Sequence, residues 1–264
     1  MSARPKKSFG QHFLHEKRYI DSIVSAISPR DGDTVIEIGP GEGALTLPLL
    51  TVARRMTAVE LDTDLIPALQ ARADKIGELH IVHQDVLKVD FTRMAAEMGA
   101  PRLRIAGNLP YYISSPILFH CLDHSGVIED MHFMLQKEVV DRMAADPGSK
   151  VYGRLSVMLQ LACRVESLFV VPPGAFRPPP KVDSAVVRLV PLPAEKLPTV
   201  APQAIDRVVK AAFGMRRKTL SNTLKGLVGE AGIIDCGIDP RARAETLSPA
   251  QFVALAETYA RQRG

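Results

Sequence analysis

The sequence has no tryptophan, only three cysteines and no apolar run long enough to cross a bilayer. Cys121, Cys163 and Cys236 are far apart, odd in number and never in a C-x-x-C arrangement. Neither a disulfide framework nor a zinc ribbon is written here, and a reducing compartment suits such thiols. The N-terminus lacks the apolar stretch of a secretory signal, so a soluble, cytoplasmic protein is expected. Disordered and collagenous readings fail on composition, since 46% of the residues are hydrophobic and 23% charged. A length of 264 residues predicts one large domain or two unequal ones, with enough chain to bury a core.

What is present begins with a charge asymmetry. The formal net charge is +4, but residues 1–30 and 190–264 each carry an excess of four Lys/Arg, while 31–189 carry an excess of four acids. An acidic body with basic ends suits contact with a polyanion, because phosphates are gripped mainly by Lys and Arg. A solvated surface with scattered bases is the plain alternative.

Asp33-Thr34-Val35-Ile36-Glu37-Ile38-Gly39 reads as a short buried strand entering a glycine turn. Strand-like runs recur at 58–61, 80–83 and 102–106, with helix-compatible stretches such as 63–75 between them. That alternation implies a parallel sheet with helices on both faces. Further strands are expected at 131–135, 167–171 and 185–190. Pro191, Pro193, Pro198 and Pro202 then mark a boundary. Beyond it Ile205, Val208, Val209 and Ala212 share one helical face, and Leu220, Leu224 and Leu227 another.

Gly39-Pro40-Gly41-Glu42-Gly43-Ala44 follows a strand and precedes a helical stretch, where a glycine turn lets backbone approach a nucleotide closely. It also fits G-x-G-x-x-A, which keeps a dinucleotide dehydrogenase open, and the same turn can simply connect strand to helix. Glu60 ends the second strand, where an acid accepts hydrogen bonds from ribose hydroxyls of either NAD or S-adenosylmethionine. Asp85, in Gln84-Asp85-Val86, ends the third, placed to accept from an adenine amino group. Each acid alone is an ordinary solvated residue; acids at successive strand ends beside the turn favour a ribonucleoside site.

The fourth strand runs into Asn108-Leu109-Pro110-Tyr111-Tyr112. A neutral amide, a carbonyl held by proline and an aromatic ring are poor equipment for hydride transfer or hydrolysis, but suit methylation of an exocyclic amine. The lone pair of adenine N6 is delocalised, so acceptors for its hydrogens, the Asn108 side-chain oxygen and the Leu109 carbonyl, favour the pyramidal geometry that attack requires. The Tyr111 ring offers a stacking face. No carboxylate base is obligatory, because the alkylated nitrogen loses its proton readily. Of seven histidines, His120 and His124 stand at i, i+4 without the glutamate of H-E-x-x-H. No metal is expected.

With these residues in place, the sequence resembles the KsgA/Dim-type ribosomal RNA adenine N6,N6-dimethyltransferases, relatives of the Erm methyltransferases. The match runs through Phe9-Gly10-Gln11-His12-Phe13-Leu14, Glu37-Ile38-Gly39-Pro40-Gly41, Glu60, Gln84-Asp85-Val86 and Asn108-Leu109-Pro110-Tyr111. It continues through the run from Pro173 to Ser184 and the basic Phe213-Gly214-Met215-Arg216-Arg217-Lys218. The resemblance implies an α/β fold: a Rossmann-like S-adenosylmethionine-dependent methyltransferase domain over 1–190, with a basic arm (1–30), and a small helical RNA-binding domain over 191–264.

It further implies that Gln11, His12, Leu14, Gly39, Gly41, Glu60, Leu61, Asp85, Val86 and Asn108 bind the donor. Asn108, Leu109, Pro110 and Tyr111 would handle the target adenine, with Phe176 as a second aromatic wall. Arg4, Lys6, Lys7, Lys181, Arg216, Arg217 and Lys218 would contact RNA. The family often has Asn at the position of His12, where a backbone contact survives the change. The implied reaction dimethylates two adjacent adenosines near the 3′ end of small-subunit rRNA, in an assembling 30S-type particle, by a monomer without metal or membrane. Modification of large-subunit RNA, a NAD-dependent dehydrogenase and a non-catalytic assembly factor remain as alternatives.

Overall fold

The computed structural model describes residues 11–263. Arg4, Lys6, Lys7, Phe9 and Gly10, named above, lie outside the described residues. In chain order the elements begin with β1 (Phe13–Leu14), α1 (Lys17–Ile27), β2 (Val35–Ile38), α2 (Thr46–Ala53), β3 (Arg55–Glu60), α3 (Ile66–Ala73) and β4 (Glu78–His83). Then come α4 (Phe91–Glu97), β5 (Leu103–Asn108), α5 (Ser114–Asp123), β6 (Ile128–Gln136), α6 (Lys137–Met143) and α7 (Arg154–Gln160). β7 (Cys163–Val171), β8 (Phe176–Arg177), β9 (Ser184–Pro191), α8 (Pro202–Phe213), α9 (Leu220–Thr223), α10 (Gly229–Asp235) and α11 (Pro249–Arg261) complete the described chain.

Seven strands form a sheet in the order β4-β3-β2-β5-β6-β9-β7, and β1 pairs with β8 in a separate two-stranded ribbon. β2 is central and wholly buried, which is why its sequence reads as a continuous apolar run broken only by Glu37. Neighbours from β4 through β6 are parallel, as expected. The expectation of an all-parallel sheet needs correction at β9, which is antiparallel to β6. Residues 172–183, which join β7 to its sheet neighbour β9, hold only a 3₁₀ turn, the two-residue β8 and prolines, without the helical crossover a parallel return needs, so the direction of β9 is set against β7.

Strand order fixes where a ligand can enter. From β2 the chain winds outward through β3 to β4, then returns to the other side of β2 as β5. The connections leaving β2 and β5 therefore diverge, opening a crevice at the carboxyl ends of these strands.

A buried arginine ties α1 to this sheet. Arg104, on β5, donates from Nε and Nη2 to both Asp130 carboxylate oxygens (3.0 and 2.8 Å) and from Nη1 to Asp33 (2.7 Å). Nη2 and Nη1 also donate to the carbonyls of Ile27 (2.7 Å) and Ser28 (3.2 Å), where α1 ends in a left-handed residue. All five guanidinium donors are thus used. Its pKa is raised, first by the hydrogen bonds to Asp130.

The chain divides into two compact units, one of 1–140 and 166–191, the other of 141–165 and 192–264. One changeover falls beside Pro191, and the second unit also takes 141–165. Tyr152 explains why: it is fully buried in the second unit's core, with its ring 6.1 Å from Phe213, which in turn stacks on Phe252 at 5.6 Å. Ile205, Val208, Val209 and Ala212 form the buried face of α8. The second face reads differently: α9 stops at Thr223, so Leu220 and Leu224 are buried without a helix reaching Leu227, and Gly229 follows at φ 72°.

Candidate active site

The crevice beside β2 is lined by Gln11, His12, Leu14, Gly39, Gly41, Glu60, Leu61, Asp85, Val86, Asn108, Leu109, Pro110 and Tyr111. These residues come from segments up to a hundred positions apart, brought together because the turns after β2, β3, β4 and β5 lie at one edge of the parallel sheet. Glu37, Asp62 and Tyr112 line it as well.

The glycine turn has a steric reason. Gly39, Gly41 and Gly43 all have positive φ (67°, 56° and 84°), a conformation side chains resist. A Cβ on Gly39 would enter open space, so its absence leaves backbone exposed to a ligand, whereas one on Gly41 would press within 3.2 Å of the Phe13 ring.

Glu60 is buried yet multiply bonded. Its Oε1 accepts from the amides of Leu61 and Asp62 (both 2.8 Å), and Oε2 from that of Gly41 (3.2 Å). Burial raises its pKa, while these amides oppose the rise. Three bonds leave acceptor capacity for a ligand hydroxyl. Asp85 caps the 3₁₀ turn Val86–Lys88 by accepting from the Leu87 amide at 3.0 Å.

At the other wall, Asn108 Nδ2 donates to the His12 carbonyl at 3.0 Å. A carbonyl only accepts, so this bond fixes which way the amide faces, and among the described residues no donor reaches Oδ1. Leu109 is pinned by its amide bond to the Met134 carbonyl (3.2 Å). Tyr111 sits in a 3₁₀ turn, Tyr111–Ile113, with its hydroxyl 2.7 Å from Ser184 Oγ. Residues 11–14 cross between the walls: Gln11 Nε2 donates to Asp62 at 3.1 Å, and β1 pairs Leu14 with Phe176.

That pairing corrects the expectation for Phe176. Its side chain is buried in the core with Leu14, Met134 and Val186 and does not line the crevice. Arg216 is exposed, and its Nη2 donates to the carbonyls of Lys150 (2.5 Å) and Tyr152 (3.4 Å), which ties it to a loop of its own unit and leaves its other donors free. Arg217, Lys218 and Lys181 are exposed. His120 and His124 bond to the Val89 carbonyl and the Thr92 hydroxyl, and among the described residues no three His, Cys, Asp or Glu converge to hold a metal.

Asp62 and Glu37 carry no signal in the sequence as site residues beyond their adjacency to the strand ends. Glu37 is fully buried with Oε2 unbonded, and burial pushes its carboxyl up to about 7. Thr46, whose hydroxyl makes no hydrogen bond of ordinary geometry, opposes the rise, and Glu60 adds to it. Because the folded value lies above the unfolded one, the stability this group contributes is complete below the ordinary carboxylate range and is lost as pH rises through about 7. Glu37→Gln cannot ionise. Its thermal stability relative to the parent should therefore climb between about pH 4.5 and 8, by on the order of 3 kcal/mol. A constant difference across that window would show that Glu37 is already ionised in the fold.

The model of the family described as ribosomal RNA adenine dimethylase matches residues 2–261. A "Ribosomal RNA small subunit methyltransferase A" of Xanthomonas campestris pv. campestris (strain 8004) is 60% identical over 255 residues, covering 97% of this chain and 96% of its own. Its namesake in Xylella fastidiosa (strain Temecula1 / ATCC 700964) is 57% identical over 95% of this chain and 94% of its own. Among solved structures, a dimethyladenosine transferase from Plasmodium falciparum superposes with TM-score 0.77 at 27% identity, covering 92% of this chain and 96% of that one. The 23S rRNA methyltransferase ErmE does so with TM-score 0.72 at 28% identity, over 94% and 99%.

Proposed function

The chain belongs to the ribosomal RNA adenine dimethylase family, and from that premise we propose that it transfers methyl groups from S-adenosylmethionine to N6 of two adjacent adenosines near the 3′ end of small-subunit rRNA, dimethylating each during subunit biogenesis. It acts in the cytoplasm, as a monomer, on an assembling 30S-type particle. Among the described residues no helix is long and apolar enough to cross a membrane.

The observation that carries this reading is the fixed Asn108 amide, its Oδ1 without a donor among the described residues and in the same crevice as Glu60 and Asp85. The residues fit the donor: Gly39 leaves open backbone, Glu60 retains acceptor capacity for a ribose, and Asp85 and Val86, which line the same crevice, would hold the adenine. When bound, the donor supplies an electrophilic methyl carbon on a sulfonium sulfur. Asn108 Oδ1 and the Leu109 carbonyl hold the hydrogens of the target N6, turning its lone pair out of the ring plane. The ring of Tyr111 supports the extruded base, and Pro110 keeps the turn rigid. The N6 proton leaves for solvent after the N–C bond has formed, so no buried base is needed.

Small and large ribosomal subunits lacking these modifications, incubated separately with isotope-labelled donor, test this. Mass spectrometry of their RNA should find two adjacent dimethyladenosines in the small subunit; label confined to large-subunit RNA would refute the substrate assignment.

Arg216, Arg217, Lys218, Lys181 and the N-terminal Arg4, Lys6 and Lys7 grip the RNA backbone. Replacing Arg217 and Lys218 together by Ala should lower the slope of log affinity against log salt by about 2. Arg216→Ala should in addition lower the second unit's stability by about 1 kcal/mol, since two loop carbonyls lose their donor. A binding titration across salt and a thermal melt separate the two effects. Equal salt slopes in parent and double variant would take Arg217 and Lys218 out of the interface.

A further inference from the structure

The His12 side chain stands on the acceptor side of the crevice. Its ring stacks on Tyr111 with centroids 5.7 Å apart and planes at 28°. Its Nδ1 lies 2.7 Å from the Pro178 carbonyl, and because a carbonyl only accepts, Nδ1 is the donor. The ring is thus anchored to the proline run that follows β8, while its own main-chain carbonyl engages Asn108.

We propose that the His12 imidazole is a positioning residue for the target base, acting through Tyr111: it backs one face of the phenol ring so that the other is presented flat. Tyr111 is then held at three places, at its tip by Ser184, at its base by the 3₁₀ turn and on one face by His12. A purine inserted between His12 and Tyr111 would need about 7 Å, two contact distances of at least 3.5 Å, which is more than the rings are apart. The base therefore takes the opposite face, and His12 is a backing, not a second wall. An unbacked phenol would have to be ordered when the base arrives, which weakens acceptor binding without touching the donor. This rests on the reading that Tyr111 carries the target base.

Steady-state kinetics of the full chain on unmethylated small subunits, with donor affinity measured separately by calorimetry, tests it. His12→Asn retains a donor for the Pro178 carbonyl but no ring, whereas His12→Phe retains a ring but no donor. Acceptor KM should rise about tenfold in His12→Ala and His12→Asn, and His12→Phe should recover most of that loss, with donor Kd within about twofold throughout. Unchanged acceptor KM in His12→Ala, or a parallel loss of donor affinity, would overturn the proposal. Tyr111→Ala tells which layer fails: if it raises acceptor KM while His12→Ala does not, only the backing role falls; if it too has no effect, the platform falls with it.

Discussion

Asn108→Ala is expected to lower kcat about 100- to 1000-fold, the range seen when one preorganised polar group at a reacting centre is deleted. The variant removes the acceptor for the N6 hydrogens and cuts the bond to the His12 carbonyl. Donor affinity should fall much less, since Glu60, Asp85 and the glycine turn remain. Asn108→Asp makes a sharper companion, because a carboxylate cannot donate to the His12 carbonyl and would face it with like partial charge. Single-turnover methyl incorporation with saturating donor measures both. Retention of kcat within about threefold in the Ala variant would remove Asn108 from the chemistry.

The largest effect on stability is expected from Arg104→Ala, at about 3–5 kcal/mol, the usual cost of stripping one partner from a buried ion pair. Asp130, only 3% exposed at its side chain, would lose its two-point partner, and the carbonyls closing α1 would lose their donors. Asp130→Asn in the Arg104→Ala background should recover part of the loss, which distinguishes uncompensated charge from lost packing. Denaturant melts at neutral pH measure both variants. A loss below about 1 kcal/mol would mean that Arg188, 3.5 Å from Asp130, already suffices to neutralise it.

The strands that build the crevice were legible because each is short, apolar and followed by a residue with a chemical reason to be there: Gly39, Glu60, Asp85, Asn108. Parallel burial on both faces writes itself as a largely apolar run in β2, β3 and β5, whereas the half-exposed edge strand β4 is marked only by Leu79, Ile81 and Val82. What stayed hidden depends on partners distant in sequence. The direction of β9 is set by its connection and not by its own alternation. Residues 141–165 join the second unit through Tyr152, with no compositional change at 140 to announce it. The resemblance implies a stacking role for Phe176, and an aromatic near a proline run carries no mark of which way it faces; pairing with Leu14 turns it inward. Arg104 read as an ordinary strand residue, since its partners at Ile27, Ser28, Asp33 and Asp130 are joined to it only by the fold.

The group that orients the Asn108 amide is the main-chain oxygen of residue 12, and no point substitution can delete a main-chain oxygen. Whatever side chain that position inherits, the amide keeps its heading as long as the short ribbon with β8 stays in register. Only an insertion or deletion slipping that ribbon would undo it. Genetic drift at position 12 is therefore harmless to the core chemistry, and such a site is free to acquire a secondary task in one lineage and surrender it in another.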